Sequence, residues 1–413
     1  LEYFNNRGDI LLIVIFALLY VLFGNTYDAL MISMSRKAEI VYSQALSLLF
    51  SDAIMYLLIL LLTKHWPMVL PLLIAGVVQG LGSAIWAVLA QTWYFHTFSA
   101  KPTVIVYDDR EGLPELINDY GFDRKFDVIR VVDSWSCMEK PSVLKDAEVV
   151  FLSGIRSHDR NVILKYCVSN GKRTFVLPRI GDIIMSGARR MHMFYLPMLR
   201  VDRYHPSMLY LFVKRAFDII ASLCTLIVLS PLFLLTSIAI KLSDGGPVIY
   251  KQTRLTKDGK KFNMLKFRSM RVDAEKDGIA RLSTGDADDR ITPVGRMIRK
   301  TRIDELPQMI NILVGELTIV GPRPERPEIA SLYEEEMPEF CLRLQAKAGL
   351  TGLAQVYGKY NTTPYDKLQM DLMYIAKPSL VEDLRIIFAT IKILFMPEST
   401  EGISEGQTTA MSG

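Results

Sequence analysis

The hydrophobic pattern of the first hundred residues consists of three apolar runs, Ile10–Gly24, Ile40–Thr63 and Met68–Trp93. The second and third exceed the ~18 residues that cross a bilayer as a helix. The first run needs Thr26–Met31 to reach that length. Runs this continuous predict membrane-spanning helices over residues 1–100, and a buried bundle in a soluble protein is improbable.

Basic residues near these runs predict their orientation. Arg36 and Lys37 follow the first run and Lys101 follows the third. Cytoplasmic flanks are enriched in such residues, so both sites are expected in the cytoplasm and the N-terminus outside. A further helix before Leu1 would reverse this, and the pattern leaves that open.

Residues 101–205 have a different pattern, in which short apolar runs alternate with helical connections. Four strands are predicted, at Thr103–Tyr107, Asp127–Val132, Glu148–Leu152 and Thr174–Leu177. This alternation is typical of a Rossmann-like α/β domain. No glycine-rich phosphate loop follows the first strand, where two carboxylates would instead repel a diphosphate. We therefore expect a spacer, dimerisation or regulatory domain.

A fourth apolar run, Ala216–Leu242, is also long enough to cross a bilayer. Its flanks argue against a simple span, because Lys214 and Arg215 precede it and Lys241 follows it. Both ends therefore favour the cytoplasmic side.

Pro231 follows Ser230 in the middle of this run and predicts a bend, because proline interrupts the helical hydrogen bonds. We expect a re-entrant helix over residues 214–242, with a plain span as the less favoured alternative. Asp218 lies near its start, and we expect it to pair with Lys214 or Arg215.

Candidate chemistry lies in the stretch 299–308, where Asp304 and Glu305 precede Pro307. Proline is favoured in the first turn of a helix, so a helix over Leu306–Val314 is predicted, with both carboxylates at its positive end. We therefore expect Asp304 to be ionised and phosphate to bind nearby. An ionised carboxylate among arginines can attack phosphorus, although a solvated helix cap is the commoner role of such a pair. The basic neighbours are Arg299, Lys300, Arg302, Arg323 and Arg326.

A basic hairpin is predicted before this stretch, with its turn at Asp258-Gly259 and a return strand at Phe262–Phe267. It presents Lys266 and Arg268, either to the membrane surface or to a diphosphate. The charged segment 272–290 is predicted to be a surface loop.

The last part of the chain predicts one further element of interest. Val381–Met396 has an amphipathic pattern that suits a helix in the membrane interface, and a helix in the core of the domain is nearly as consistent with it. A disordered tail is expected over residues 398–413.

Composition agrees with a membrane protein, since half of the residues are hydrophobic and the mean hydropathy is +0.22. The net charge of +4 is too small to suggest a nucleic-acid partner. The four cysteines are scattered, which predicts neither a disulfide framework nor a zinc site.

The stretch 299–308, together with Lys266-Phe-Arg-Ser-Met270 and Gly321-Pro-Arg-Pro324, resembles the catalytic core of the bacterial polyprenyl-phosphate sugar-1-phosphate transferases, the monotopic phosphoglycosyl transferases. The resemblance extends from about Lys214 to Pro397, and the N-terminal half resembles the long-form members. It implies a membrane protein of mixed α and α/β class, with a mixed α+β catalytic domain over 206–397, a re-entrant helix broken at Ser-Pro, and interfacial amphipathic helices.

The resemblance also implies the reaction. Asp304 would attack a UDP-sugar, release UMP and form an aspartyl phosphosugar, which polyprenyl (undecaprenyl) phosphate would then accept. Glu305 would hold Mg²⁺ with Asp304 or orient the nucleophile. The expected substrate-binding residues are Lys266, Arg268, Arg299, Arg302, Arg323, Arg326, Asp371 and Tyr374. The expected location is the bacterial inner membrane with the catalytic domain on the cytoplasmic face, in contact with bilayer lipid. A homodimer is one of the oligomeric states left open.

Three other functions are alternatives to this reaction. A membrane sensor or scaffold would bind a nucleotide at residues 101–203 without turnover. A transporter would need charged residues within its spans, and the first three runs contain few. An ordinary glycosyltransferase would release UDP instead of UMP. Neither the sugar nor the lipid length follows from the sequence.

Overall fold

The structure, a computed structural model, describes residues 6–108, 112–272, 290–358 and 362–394. The chain forms two compact units, Leu1–Arg179 and Ile180–Gly413. This division falls before the predicted boundary at 205/206, because Ile183 already packs into the core of the second unit with Leu368 and Leu372. The interior of the predicted loop, 273–289, and the predicted tail lie outside the described residues.

The first unit begins with three long helices, α1 (Asn6–Thr26), α2 (Lys37–Thr63) and α3 (Val69–Thr97). Each is long and apolar enough to cross a membrane, which confirms the predicted spans. The expectation for the first run is wrong in one respect. Its apolar helical segment starts at Gly8 and reaches spanning length by Thr26, so residues 27–31 are not needed.

An α/β domain completes the first unit. Its strands β1–β4 form one parallel sheet in the order β2-β1-β3-β4. All four predicted strands are present, because their apolar runs are buried: Val104 and Val106 pack into the core on one side of β1, while Ile105 packs into another. The elements are β1 (Lys101–Tyr107), α4 (Leu113–Asp119), β2 (Phe126–Asp133), α5 (Ser134–Glu139), β3 (Val149–Ser153), α6 (Ser157–Ser169) and β4 (Arg173–Val176).

The second unit is mixed α+β. Three short two-stranded sheets, β5–β6 and β7–β8 antiparallel and β9–β10 parallel, lie among helices. The predicted hairpin is confirmed as β7–β8, whereas β5, β6, β9 and β10 were not predicted. The elements are α7 (Ile180–Ser186), β5 (Arg189–Met193), β6 (Leu196–Arg200), α8 (Met208–Val228), α9 (Ser230–Asp244), β7 (Ile249–Leu255), β8 (Lys261–Phe267), α10 (Pro293–Lys300), α11 (Gln308–Val314), β9 (Thr318–Val320), α12 (Pro327–Glu336), β10 (Gly349–Thr351), α13 (Leu353–Tyr357), α14 (Pro364–Ala376) and α15 (Leu380–Leu394).

Helices α8 and α9 form the bent apolar pair. They meet at an angle of 62° after Leu229. Pro231 lies in the first turn of α9, and the Ser230 hydroxyl donates to the carbonyl of Ile227. The predicted break at Ser230-Pro231 is therefore confirmed. By length and composition the pair suits a broken span or a re-entrant segment.

Helix α15 has one face in the core of the second unit, where Ile386 and Ala389 are buried. Val381 and Leu384 are exposed on its other side. The core role that the amphipathic pattern left open is therefore present in the structure, and an interfacial position of the exposed side stays a prediction.

Three charged residues at the start of α8 bond to other elements of the second unit. Lys214 donates to Asp383 (2.8 Å), at the start of α15. Arg215 donates to the carbonyls of Ile312 (2.6 Å) and Leu313 (2.8 Å), near the C-terminal end of α11. Cationic donors are favourable at that end of a helix, whose last carbonyls lack partners.

Asp218 has different partners from those predicted. Its carboxylate accepts from the hydroxyl of Thr318 (2.7 Å) and the amide of Ile319 (3.0 Å), both in β9. The expected pairing with Lys214 or Arg215 is wrong, because those cations bond to other elements while β9 presents donors directly to the buried carboxylate.

We expect Asp218→Ala to lower the free energy of unfolding by ~3 kcal/mol, because it leaves the Thr318 hydroxyl and the Ile319 amide unpaired in a buried position. Asp218→Asn, which keeps one acceptor oxygen, should cost clearly less. Thermal unfolding of both variants in detergent checks this. Equal losses would contradict the assigned hydrogen bonds.

Candidate active site

The two adjacent carboxylates lie in a single 3₁₀ turn, Ile303–Glu305, just before α11. Arg302 has a left-handed backbone (φ 53°), which turns the chain sharply after α10. Helix α11 begins at Gln308, slightly later than predicted. Asp304 and Glu305 therefore precede the helix, as the proline signal indicated.

Apolar residues on either side of the carboxylates fix this turn in place. Ile303 and Leu306 pack against a core cluster that contains Ile240 of α9 and Phe267 of β8. Ile298 of α10 belongs to the same cluster. The turn with the carboxylates therefore shares an apolar cluster with the second helix of the bent apolar pair, with β8 and with α10.

A small cleft that is open to solvent lies beside this turn. Lys266 and Arg323 supply positive charge to it, and Glu305 supplies a carboxylate. The Lys266 ammonium is 3.8 Å from Glu305, and the Arg302 guanidinium is 3.9 Å from it. Asp304 is half-buried next to Glu305 and is not part of the cleft lining. The lining consists of Arg254, Met264, Lys266, Glu305, Gln308, Arg323, Pro324, Gly349, Leu350 and Gln355.

The two carboxylates differ in ionisation. Burial and the neighbouring charge of Glu305 raise the pKa of Asp304 to about 6. Burial also acts to raise the pKa of Glu305, but Lys266, Arg323 and Arg302 outweigh it and hold that pKa below its usual value. From the sequence, we expected the positive end of the helix to favour the ionised form of Asp304. At neutral pH the carboxyl is still mostly ionised, although burial makes its charge harder to maintain.

The predicted arginines lie near the turn and the cleft. The charges of Arg299 and Arg302 act to lower the pKa of Asp304, against the effect of its burial. Arg323 is exposed at the cleft. Arg326 is half-buried, and its charge, like that of Arg323, acts to lower the pKa of Arg254.

Of the eight predicted substrate-binding residues, Lys266 and Arg323 line the cleft, and three others are buried against protein partners. Arg268 is buried and paired with Asp244. Asp371 is 1% exposed and lies 2.6 Å from Arg343. Tyr374 is buried, with its hydroxyl 2.8 Å from Asp383. The partners of these three side chains are therefore other protein groups.

Sequence reasoning missed Arg254 as a cleft residue. It lies on β7, the first strand of the predicted basic hairpin. Burial lowers its pKa to about 10, although Glu325 acts in the opposite direction, so the guanidinium is charged at neutral pH. Strand alternation was the signal that could have placed Arg254 at the cleft. Arg254 is paired with Phe262 across the hairpin, close to Met264 and Lys266 on β8.

The carboxylates of Asp304 and Glu305 would supply the oxygen donors if a metal ion were bound at this turn. No group of three or more His, Cys, Asp or Glu side chains forms a metal site within the described ranges. A magnesium ion is commonly held by one or two carboxylates together with water and substrate phosphate, so this donor pair fits Mg²⁺.

Comparison with known proteins agrees with this geometry. The family model "Bacterial sugar transferase" matches residues 209–397, which include the bent apolar pair, the carboxylate turn and the cleft. The exopolysaccharide production protein PSS of Rhizobium leguminosarum bv. phaseoli is 43% identical over 190 residues, which cover 44% of this chain and 94% of that protein. The chain belongs to the bacterial sugar transferase family. The family predicted from the motifs is thereby confirmed.

Two further relatives of this bacterial sugar transferase have more specific names. The UDP-glucose:undecaprenyl-phosphate glucose-1-phosphate transferase of Caulobacter vibrioides is 38% identical over 191 residues, 45% of this chain and 71% of that protein. The UDP-N-acetylgalactosamine-undecaprenyl-phosphate N-acetylgalactosaminephosphotransferase of Aeromonas hydrophila is 40% identical over 207 residues. That match covers 48% of each chain, so this transferase aligns with about half of the Aeromonas protein.

In protein freed of divalent cations, we expect the Asp304 carboxyl to be half ionised at about pH 6. Glu305→Gln removes a neighbouring negative charge and should lower this pKa, whereas Arg302→Gln removes a positive charge and should raise it. Infrared difference spectra against Asp304→Asn, recorded across the acid range, measure both shifts. Shifts in the same direction would refute the assigned electrostatics.

Proposed function

We propose that this bacterial sugar transferase moves a sugar-1-phosphate from a UDP-sugar to undecaprenyl phosphate, with UMP as the second product. The names of the Caulobacter and Aeromonas relatives support this reaction class. They differ in the sugar, glucose in one and N-acetylgalactosamine in the other, so the proposal commits to UDP-sugars as a class.

The apolar cluster that the carboxylate turn shares with α9 is the observation that carries the proposal. Ile303 and Leu306 stand on either side of Asp304 and Glu305 in the sequence, and they pack against the cluster that contains Ile240 of the bent apolar pair. A polyprenyl phosphate has its tail in the bilayer and its phosphate at the surface. A reactive carboxylate whose turn shares an apolar cluster with a bent membrane segment is suitably placed to meet that phosphate.

The proposed chemistry has two displacements at phosphorus. A carboxylate oxygen of Asp304 attacks the phosphorus that carries the sugar, the bond to the UMP oxygen breaks, and UMP leaves with that electron pair. An oxygen of undecaprenyl phosphate then attacks the same phosphorus. The bond to Asp304 breaks, which restores the carboxylate and gives the polyprenyl diphosphate sugar.

Cationic side chains would stabilise both steps. Lys266, Arg254 and Arg323 line the cleft, where diphosphate oxygens would lie. Guanidinium groups bind phosphate oxygens with two parallel hydrogen bonds, which also orients the substrate. Arg299 and Arg302 flank the nucleophile, where negative charge would develop.

We also propose that Glu305 and Asp304 hold Mg²⁺, which would neutralise phosphate charge. The low pKa of Glu305 supports this role, because an ionised carboxylate is the donor form. The proposed location is the bacterial inner membrane with the cleft on the cytoplasmic face, where UDP-sugars are present. The three apolar N-terminal helices support a membrane location.

Asp304→Asn should reduce UMP release from a UDP-sugar at least about a thousandfold, because the amide is a poor nucleophile. The assay uses the full chain in detergent with undecaprenyl phosphate and a panel of UDP-sugars. Labelled phosphosugar should remain on denatured wild-type protein and be absent from the variant. Asp202→Asn, an exposed acid on the same unit paired with Arg200, is the control and should keep the wild-type rate. UMP release by Asp304→Asn at the wild-type rate would reject the nucleophile.

Chelation of divalent cations should abolish UMP release, and Mg²⁺ should restore it. Glu305→Gln should raise the half-saturating Mg²⁺ concentration by at least about tenfold, because it removes one oxygen donor. Titration of Mg²⁺ in the UMP assay measures this. Turnover that persists through chelation would refute the metal role.

A further inference from the structure

The loop Pro322–Glu325 carries Arg323 to the cleft, and both of its ends are bonded to strands. The carbonyl of Pro322 accepts from the amide of Gly349 in β10 (2.8 Å). The carbonyl of Glu325 accepts from the amide of Leu255 at the end of β7 (2.9 Å). Pro322 and Pro324 have no amide hydrogen, so the backbone of these two residues can be held only through its carbonyls.

The two middle carbonyls of this loop are held by arginine side chains. Arg343 donates to the carbonyl of Arg323 (2.8 Å), and Arg254 donates to the carbonyl of Pro324 (3.0 Å). All four consecutive carbonyls of the loop are therefore hydrogen-bonded. The loop backbone around Arg323 is therefore held at each residue, while the Arg323 side chain is exposed.

Arg343 is an unusual residue for this task because its side chain is only 4% exposed. Asp371 lies 2.6 Å from it and is itself buried, and Glu325 lies 3.5 Å from it. The guanidinium also lies over the ring of Phe340, 4.8 Å from its centre. A buried ion pair contributes little net stability compared with apolar residues of similar volume, so stability alone does not explain this arrangement.

The Arg323 side chain is exposed, and its backbone carbonyl accepts the hydrogen bond from Arg343. Its charge lowers the pKa of Glu305 and of Lys266, so it acts on the groups of the cleft. The hydrogen bond from Arg343 holds the Arg323 backbone at its own carbonyl. A shift of about 1 Å at such a point is enough to misplace a guanidinium relative to a bound phosphate.

We propose that Asp371 and Arg343 form a positioning pair for Arg323: Asp371 orients Arg343, Arg343 holds the Arg323 carbonyl, and Arg323 thereby faces the substrate diphosphate. This inference rests on the proposed function for the identity of the ligand. It assigns Asp371 a role behind the cleft, in place of the direct substrate contact that the sequence predicted.

A double-mutant cycle tests this proposal. The variants are Arg343→Lys, Asp371→Asn and Arg323→Gln, with each of the first two also combined with Arg323→Gln. The readouts are kcat and KM for UMP release by the full chain in detergent, and the Kd for UDP. UDP binding needs no turnover, so a wild-type protein that binds UDP without releasing UMP would reject the proposed function and leave the cycle readable.

We expect Arg343→Lys and Asp371→Asn each to lower kcat/KM by about tenfold or more, chiefly through KM, and to weaken UDP binding in parallel. In the Arg323→Gln background, each of these two substitutions should change kcat/KM and the Kd for UDP less than about twofold, because the residue through which they act is gone.

Asp383→Asn is the matched control, because it removes the charge from another buried carboxylate, which pairs with Lys214 at 2.8 Å. Its effect should be the same with and without Arg323. If Arg343→Lys lowered kcat/KM by the same factor in both backgrounds, the proposal would be overturned. If Arg343→Lys fails to fold, Asp371→Asn completes the cycle, and failure of both to fold would reject a positioning role in favour of a structural one.

Discussion

The hydrogen bonds from the start of α8 to the backbone of α11 and β9 are the constraint on which the active site depends. Arg215 bonds to the last carbonyls of α11, whose other end follows the Asp304–Glu305 turn. Asp218 bonds to β9, which leads into the loop with Arg323. Buried charges of this kind are stable only when fully paired, so the apolar pair and the two site segments hold one relative position. This links the segment suited to lipid directly to the groups suited to phosphate.

Burial and the neighbouring cations act in opposite directions on the charge of Asp304, and this affects its chemistry. Desolvation works against the negative charge of Asp304, and the surrounding cations work for it. The result is a carboxylate that is ionised at neutral pH but is poorly solvated, which is a favourable state for a nucleophile. Glu305 lies closer to Lys266 and Arg302 and remains the firmer anion. Two adjacent acids thereby acquire different properties from their surroundings alone.

Local signals predicted most elements of the fold correctly. Apolar runs located α1–α3, β1–β4 and the bent pair, because burial or lipid contact demands continuous hydrophobic surface. Proline signals located the break at Ser230-Pro231 and the helix after Glu305, since proline limits backbone geometry by itself. The strands β9 and β10 escaped prediction because each has three residues, too few for a periodic pattern.

The sequence by itself therefore determined the class of the protein, its membrane segments and the carboxylate turn with its basic neighbours. Only the tertiary structure decided which charged residues face the cleft. Asp371, Tyr374 and Arg268 were expected there and are buried against protein partners, whereas Arg254 lines the cleft from a strand. The partner of a charged side chain lies far away in sequence, as for Asp371 and Arg343 or Asp218 and Thr318. Whether such a charge meets substrate or another charge depends on how the elements pack, and no local pattern contains that information.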